Sequence, residues 1–296
     1  MTPPIDGARL IPDEAPSTYY ARSLDVANHT GLCHIGRSPA HFRYWVENPQ
    51  SDADTKDFAF GRAFHCATLE PDVFSRTYAV IPAGAPARPT SRQLNAKSPG
   101  RESRAALDWW AMFLAGHEGR TLVSVDDYDR CQRMAESIRS HSDEVAGLLV
   151  GGIREATLRW QDDDTGLACK ARIDNYEPGL FMLDLKKTRD ASEEAFARSI
   201  ANYQYDQQAA HYCAGGSACG TPVKHFIFLA CEDTPPYVCQ PYYLDPMAEQ
   251  RGMGLRRRRM RVQAECLRTD RWPGYATSFR QISLPSYAYY GTDEAA

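Results

Sequence analysis

The chain has 296 residues, 43% of them hydrophobic and 24% charged, the balance of an ordinary soluble globular protein with room for one large domain or two small ones. That composition excludes a disordered tail, a fibre and a disulfide mini-scaffold. The 34 basic and 38 acidic residues leave a net charge of −4, so any surface that binds nucleic acid must be local.

No apolar run approaches the roughly 20 residues needed to cross a bilayer. The opening MTPPIDGARLIPDEAPSTYY has neither the basic flank nor the apolar stretch of a signal peptide, and a cytoplasmic protein with no membrane segment is expected. Nine scattered cysteines without a C-x-x-C pair read as reduced thiols. An iron–sulfur cluster on Cys213, Cys219, Cys231 and Cys239 would need intervals that fit no common cluster pattern.

In chain order, residues 1–30 are polar and read as an arm. Residues 31–150 read as mainly helical. SPAHFRYW starts a helix near Ser38 with Pro39 in its first turn, and Lys56 to Leu69 forms another. The Pro- and Gly-rich stretch 81–103 is a long flexible loop. Helices follow over Ala105 to Gly116 and Asp126 to Val150. Residues 151–245 hold the sheet. Glu155 to Trp160, Leu167 to Asp174 and Phe181 to Thr188 alternate as strands, and Val223 to Ala230 and Tyr237 to Leu244 add two more. Between them, Ser192 to Ile200 and Tyr203 to Cys213 read as helices. A long helix over Met247 to Leu267 and a tail complete 246–296. The whole reads as one α/β domain, a central mixed β-sheet flanked by helices with an N-terminal helical elaboration.

The chemistry concentrates in CKARIDNYEPGLFMLDLKKT. Strand alternation sets Phe181, Leu183 and Leu185 on a core side, and Met182, Asp184, Lys186 and Thr188 on the other. Asp184 and Lys186 then stand about 7 Å apart along the strand, while Lys187 points away. A turn at Glu177-Pro178-Gly179 makes an antiparallel hairpin in which Asp174 meets Asp184. The pattern alone admits two readings. Paired carboxylates beside a lysine suit a hard cation and phosphoryl chemistry, and they equally suit a salt bridge on an exposed sheet face. His65 on its helix is either a ligand or a structural imidazole. Tyr205, Gln208 and Tyr212 share one helix face, for packing or for function.

Together these segments resemble a known family. Asp174-x9-Asp184-Leu-Lys186 is similar to the D…D-x-K signature of the PD-(D/E)xK nucleases, and Gln208 with Tyr212 to the Q-x-x-x-Y extension of their RecB- and RecE-like branches. RSPAHFRYW, FGRAFHCATLEP, LDLKKTRDASEEAFARSIANY, PPY and RWPGY extend the resemblance to the RecE-type (exonuclease VIII) catalytic domain over about residues 19–288. The resemblance implies a restriction-endonuclease-like core and a metal-dependent, ATP-independent exonuclease, with Mg²⁺ or Mn²⁺ as cofactor, that degrades the 5′ strand of linear duplex DNA. It also implies a ring-shaped homo-oligomer and 3′ tails handed to a RecT-type annealing protein. By the same matching, His65, Asp174, Asp184 and the Leu185 carbonyl hold the metal, and Lys186 acts on the attacking water. Gln208 and Tyr212 steady the site, and Glu155 is a carboxylate of a second shell or second metal.

Arg88, Arg92, Lys97 and Arg101 in the loop, with Arg172 on the first carboxylate strand, are the candidates for holding DNA. Arg256 to Arg259 and Arg261 read as a solvated helix face. No G-x-x-x-x-G-K-[ST] motif encodes an ATP motor, and H-E-x-x-H and G-x-S-x-G are missing. Two alternatives stand beside the exonuclease: a non-catalytic DNA-end-binding recombination scaffold, and a PD-(D/E)xK nuclease acting on single strands.

Overall fold

A computed structural model describes residues 7–49, 55–98 and 100–285. In chain order the elements are β1 (Arg9–Ile11), α1 (Pro16–Tyr19), β2 (Val26–Ala27), α2 (His29–Arg37), α3 (Pro39–Glu47), α4 (Lys56–Leu69), α5 (Pro71–Thr77), β3 (Tyr78–Ile81), α6 (Ser91–Leu94), α7 (Arg101–Gly116) and β4 (Thr121–Ser124). They continue with α8 (Val125–Arg139), α9 (Asp143–Gly147), β5 (Ile153–Gln161), β6 (Ala168–Glu177), β7 (Phe181–Thr188), α10 (Glu193–Tyr203), α11 (Tyr205–Ala218), β8 (His225–Glu232), β9 (Cys239–Tyr242) and α12 (Pro246–Thr269).

The main sheet runs β1-β5-β6-β7-β8-β9, with β2 beside β6. It is mixed: β5–β6, β6–β7 and β8–β9 are antiparallel, and β7–β8 is parallel. The hairpin expected at Glu177-Pro178-Gly179 is present, with Leu180 N–H donating to the Glu177 carbonyl and Gly179 at φ 79°. A smaller parallel pair, β3–β4, stands apart.

Both faces of the sheet are covered. Leu183, Leu185, Leu229 and Cys231 face a core with Phe60, Phe64, Met134 and Ile138 from α4 and α8. Met182, Phe226, Phe228 and Ala230 face the opposite core with Phe196, Ala209, Tyr212 and Met260 from α10, α11 and α12. The strand alternation read from the sequence is therefore right in phase, but the side carrying Asp184 is roofed by helices rather than exposed. Continuously hydrophobic neighbours in β8 are the sign of a strand buried on both faces. Cys213 and Cys219 pack with one core while Cys231 and Cys239 lie in the other, so the sheet separates them, and all nine cysteines are free thiols.

Several boundaries differ from expectation, and three of the differences change how the elements are assembled. The described part of the 1–30 arm belongs to the sheet: β1 pairs β5, and β2 pairs β6 at Ala168 and Cys169. Strands of three and two residues are too short for a period-two pattern to show in the sequence. The helix expected over 126–150 is two, because Ser142 caps α9 by accepting from Val145 N–H and so competes with helix continuation. The 81–103 loop, described save for residue 99, contains α6 with a Thr90–Gln93 capping box and is pinned by Trp110 Nε1 donating to the Pro86 carbonyl.

Helices α11 and α12 pack closely because Gly252 has no side chain. A Cβ there would collide with the Asp206 backbone carbonyl, which cannot rotate away. Gly252→Ala is expected to cost ~1–3 kcal/mol, measured as a thermal midpoint several degrees lower. Gly254→Ala, in open space on the same helix, is expected to raise the midpoint instead, since glycine is the poorer helix former. Equal midpoints for both variants would refute the close-packing account.

Candidate active site

The site forms where the central strands separate. β6 and β7 pair only at Asn175↔Leu183, Tyr176↔Met182 and Glu177↔Phe181. The next level would set Asp174 opposite Asp184, and there the ladder ends. Parting leaves the Leu185 N–H without a strand partner, and the Asp174 Oδ2 accepts it at 2.7 Å. On the other side of β6 the ladder pairs Arg154 with Asn175 and Ala156 with Ile173 but skips the level between, Glu155 opposite Asp174. Glu155 is left-handed there, at φ 49°. A non-glycine residue held in this region is strained, and such strain clusters at functional sites.

The consequence is a convergence of donors. Ligand atoms of His65, Glu155 and Asp174 lie within 4.8 Å of one another. His65 Nδ1 stands 3.5 Å from Asp174 Oδ2. His65 also bonds the Leu185 backbone, which brings that residue to the same spot. Asp184 stands beside this group, and its carboxylate is held from two directions. Lys186 Nζ is 2.5 Å from Oδ2, and Gln208 Nε2 donates to Oδ1 at 2.5 Å. Lys186 in turn donates to Gln208 Oε1 at 2.9 Å. Asp184, Lys186 and Gln208 thus form a closed triangle joining β7 to α11.

Charge in the site is out of balance. Burial pushes the Asp174 carboxyl well above the usual carboxylate range, and neighbouring Asp184 adds to it. Burial also raises Glu155, reinforced by Asp174 and opposed by His65 and Arg172. His65 is lowered by burial, so its ring is neutral and able to ligate. Burial works against the Lys186 ammonium, but Asp184 more than offsets it and the net shift is upward. Two half-buried carboxylates raised together beside a half-buried, neutral imidazole are a donor set short of one cation. Oxygen and imidazole donors at this spacing fit a divalent ion.

The other expected residues fall out differently. Tyr212 is buried in the core against Phe226, and it shares a hydrogen bond with Gln208, so it supports the triangle from behind. Arg172 does reach the site: its Nε donates to Glu155 Oε2 at 2.8 Å. The loop cations are another matter. Arg88 lies over the Trp110 ring of α7 at 5.8 Å, and Arg92 and Arg101 sit on α6 and α7. Among the described residues no contact joins Arg88, Arg92, Lys97 or Arg101 to the carboxylates; all four are exposed, beside an aromatic layer of Trp109, Trp110 and Phe113. Lys187 points to the opposite face as expected, 2.6 Å from Asp57 and 3.4 Å from Asp233. The solvated-face reading of Arg256 to Arg259 and Arg261 holds for Arg257, Arg258 and Arg261, which are exposed. Arg256 pairs with Asp162, Arg261 with Asp164, and Arg259 is buried against the Gln204 and Gln207 amides.

Sequence reasoning passed over Tyr19 and Tyr20. Tyr19 was hidden inside a segment read as an arm, yet its ring lies 5.4 Å from the Arg172 guanidinium. Tyr205 was seen only as a helix-face aromatic, and its ring covers Lys186 Nζ at 4.2 Å.

Among the described residues no helix is long and apolar enough to cross a membrane. No curated protein sequence matches this chain. The fold is similar to the crystal structure of a "Putative exonuclease" from Eubacterium rectale, over 94% of this chain and 99% of that one, with TM-score 0.55 and 11% identity, a likeness of fold alone. Residues 29–282 match the PDDEXK-like domain of unknown function DUF3799, and with its parted central strands and its D…D-x-K residues in one cluster, the chain belongs to that PDDEXK-like family.

Proposed function

We propose that this protein is a nuclease, a divalent-metal-dependent phosphodiester hydrolase, and more specifically an ATP-independent 5′-to-3′ exonuclease on linear double-stranded DNA. The observation that carries the nuclease reading is the single half-buried cluster in which Asp174, Asp184, Lys186 and Gln208 meet His65 and Glu155. Membership in a PDDEXK-like family supports it. The finer reading draws on the ordered RecE-type motifs along the sequence. With it go a ring-shaped homo-oligomer around DNA, and 3′ tails taken up by a RecT-type annealing protein.

His65, Glu155 and Asp174 would hold the metal, with Asp184 and the Leu185 carbonyl beside them, and Mg²⁺ or Mn²⁺ as the ion. What a divalent cation supplies at such a site is a more acidic bound water and neutralisation of charge at the phosphoryl oxygens. The chain's own groups do the rest. Lys186 enters protonated, and an ammonium has three donors and no acceptor. Its role is therefore to place positive charge against the phosphorane-like transition state rather than to remove a proton. Gln208 holds Asp184 and Lys186 in register, and the Tyr205 face keeps the ammonium desolvated on one side.

The test is digestion of linear duplex DNA labelled separately at its 5′ and 3′ ends, with Mg²⁺ or EDTA, without ATP, beside a closed circle. Expected is metal-dependent release of 5′ label with the circle spared. Cutting of the circle would refute the exonuclease and leave a nuclease. No cleavage with Mg²⁺ or Mn²⁺ would shift the reading to a DNA-end-binding scaffold.

A further inference from the structure

Two tyrosine pairs flank the carboxylates, each with an inner ring on a site cation and an outer ring in the open. On the first side, Tyr19 lies 5.1 Å from Lys170 Nζ and 5.4 Å from the Arg172 guanidinium. Tyr20 meets Tyr19 edge to face, with centroids 5.2 Å apart at 80°, and is 63% exposed. The Tyr20 ring is also 6.0 Å from the Arg172 guanidinium, and its hydroxyl lies in electrostatic reach of Glu155 and Asp174. On the second side, Tyr205 covers Lys186. Tyr203 stacks on Tyr205 at 5.5 Å and 26° and is 62% exposed.

Local backbone features hold both outer rings out. Residues two apart on a helix do not face each other. Tyr203 and Tyr205 do, because Gln204 between them is left-handed at φ 60° and ends α10. That conformation is costly for any residue but glycine. At Tyr20, buried Lys170 donates to the carbonyls of Tyr19 and Ala21, clamping the chain on both sides of the ring. Arg22 then donates to the Trp45 carbonyl at 3.0 Å. Arg172, between Tyr20 and the carboxylates, keeps a buried Nη1 with no hydrogen-bond partner among the described residues. A held, uncovered aromatic on either side of the site matches how single nucleic-acid strands are gripped, with bases stacked on rings.

We infer that Tyr20 and Tyr203 are nucleobase-stacking platforms on the two sides of the scissile phosphate, so that the strand to be cut enters the site unpaired. This rests on the nuclease reading. Both are positioning residues. They touch bases rather than the reacting atoms, and their effect falls on paired ends, where the terminal base pairs must first open.

The test compares wild type with Tyr20→Ala, Tyr203→Ala and the two Phe variants. One measurement is anisotropy of a labelled single-stranded oligonucleotide in Ca²⁺. The other is Mg²⁺-dependent cleavage of duplexes whose ends are fully paired or carry two terminal mismatches. Each Ala variant is expected to bind the single strand about tenfold more weakly, the order supplied by one base–aromatic stack. Each is also expected to lose more kcat/KM on paired than on mismatched ends, and Phe is expected to restore both. Wild-type binding and cleavage with unchanged Ala variants would overturn the platforms and leave the nuclease standing. An equal loss on paired and mismatched ends that Phe does not restore would also overturn them. A wild type that neither binds nor cuts DNA would overturn the nuclease reading and this inference with it.

Discussion

Asp184→Asn and Lys186→Met are each expected to lower metal-dependent DNA cleavage by at least ~10²–10³-fold, the usual consequence of removing one aimed charge from a transition state. The two side chains are coupled. Lys186 lies 2.5 Å from Asp184 Oδ2, and both bond Gln208. Taking away the ammonium alone leaves a buried carboxylate without its counter-charge, which costs ~3–5 kcal/mol. Lys186→Met is therefore expected to melt lower than wild type, whereas the double variant Asp184→Asn/Lys186→Met recovers much of that loss and stays inactive. Lys186→Arg is not expected to rescue, because the planar guanidinium does not fit the triangle made with Gln208. Lys187→Ala, one residue along and on the other face of the sheet against Asp57 and Asp233, is expected to cleave normally. End-labelled cleavage and circular-dichroism melting on the same preparations decide the matter. Substantial cleavage in a folded Asp184→Asn or Lys186→Met protein would remove these residues from the reaction.

Asp174→Asn is expected to stabilise the metal-free protein at pH 8 and to abolish its stabilisation by metal. Burial and Asp184 push the Asp174 carboxyl up to about 8, far above the ~3.9 of an unfolded aspartate. A carboxyl raised in the folded state binds its proton more tightly there than in the unfolded chain. Its contribution to stability is therefore complete below the unfolded value and is lost as pH rises through the folded one. Glu155 is shifted in the same direction. In EDTA the wild type should lose stability between about pH 4 and pH 8, and Asp174→Asn should flatten that slope. The amide oxygen can still accept from Leu185 N–H, so the strand junction is preserved. Saturating Mn²⁺ or Mg²⁺ at 100 times its dissociation constant adds ~2.7 kcal/mol to the wild type and nothing to the variant. Thermal melts across pH with EDTA or metal measure all three effects. A variant that melts below wild type at pH 8, or that still responds to metal, would show that Asp174 is not a ligand site held in unneutralised charge.

Much of the framework was legible from local signals. Ser38 followed by Pro39 marked the start of α3, and the apolar run from Lys56 to Leu69 gave α4 its observed bounds. Alternation along Phe181 to Thr188 placed Asp184 and Lys186 together and sent Lys187 the other way. These features depend on near neighbours in the chain, whose spacing alone decides which face a side chain occupies. The spacing of Asp174 from Asp184 and the offset to Gln208 were legible for the same reason, one from a hairpin and the other from a helix.

What local pattern did not carry was decided by contacts far apart in sequence. The described part of the 1–30 arm joins the sheet because β6 and β7 separate and leave an edge, which β2 fills at Ala168 and Cys169 while Lys170 clamps the backbone at Tyr19 and Ala21. Glu155, expected in a second shell or at a second metal, stands in one group with His65 and Asp174, because the β5–β6 ladder skips its level and its backbone turns left-handed. Of the loop cations, Arg88 lies over the Trp110 ring, while Arg92, Lys97 and Arg101 are exposed. The sequence by itself determined which residues could do the chemistry and on which strand faces they lie, since that follows from backbone period and spacing. Only the tertiary structure decided which of them share one buried volume, because burial, the parting of strands and the resulting charge imbalance arise from packing elements that are distant in the chain.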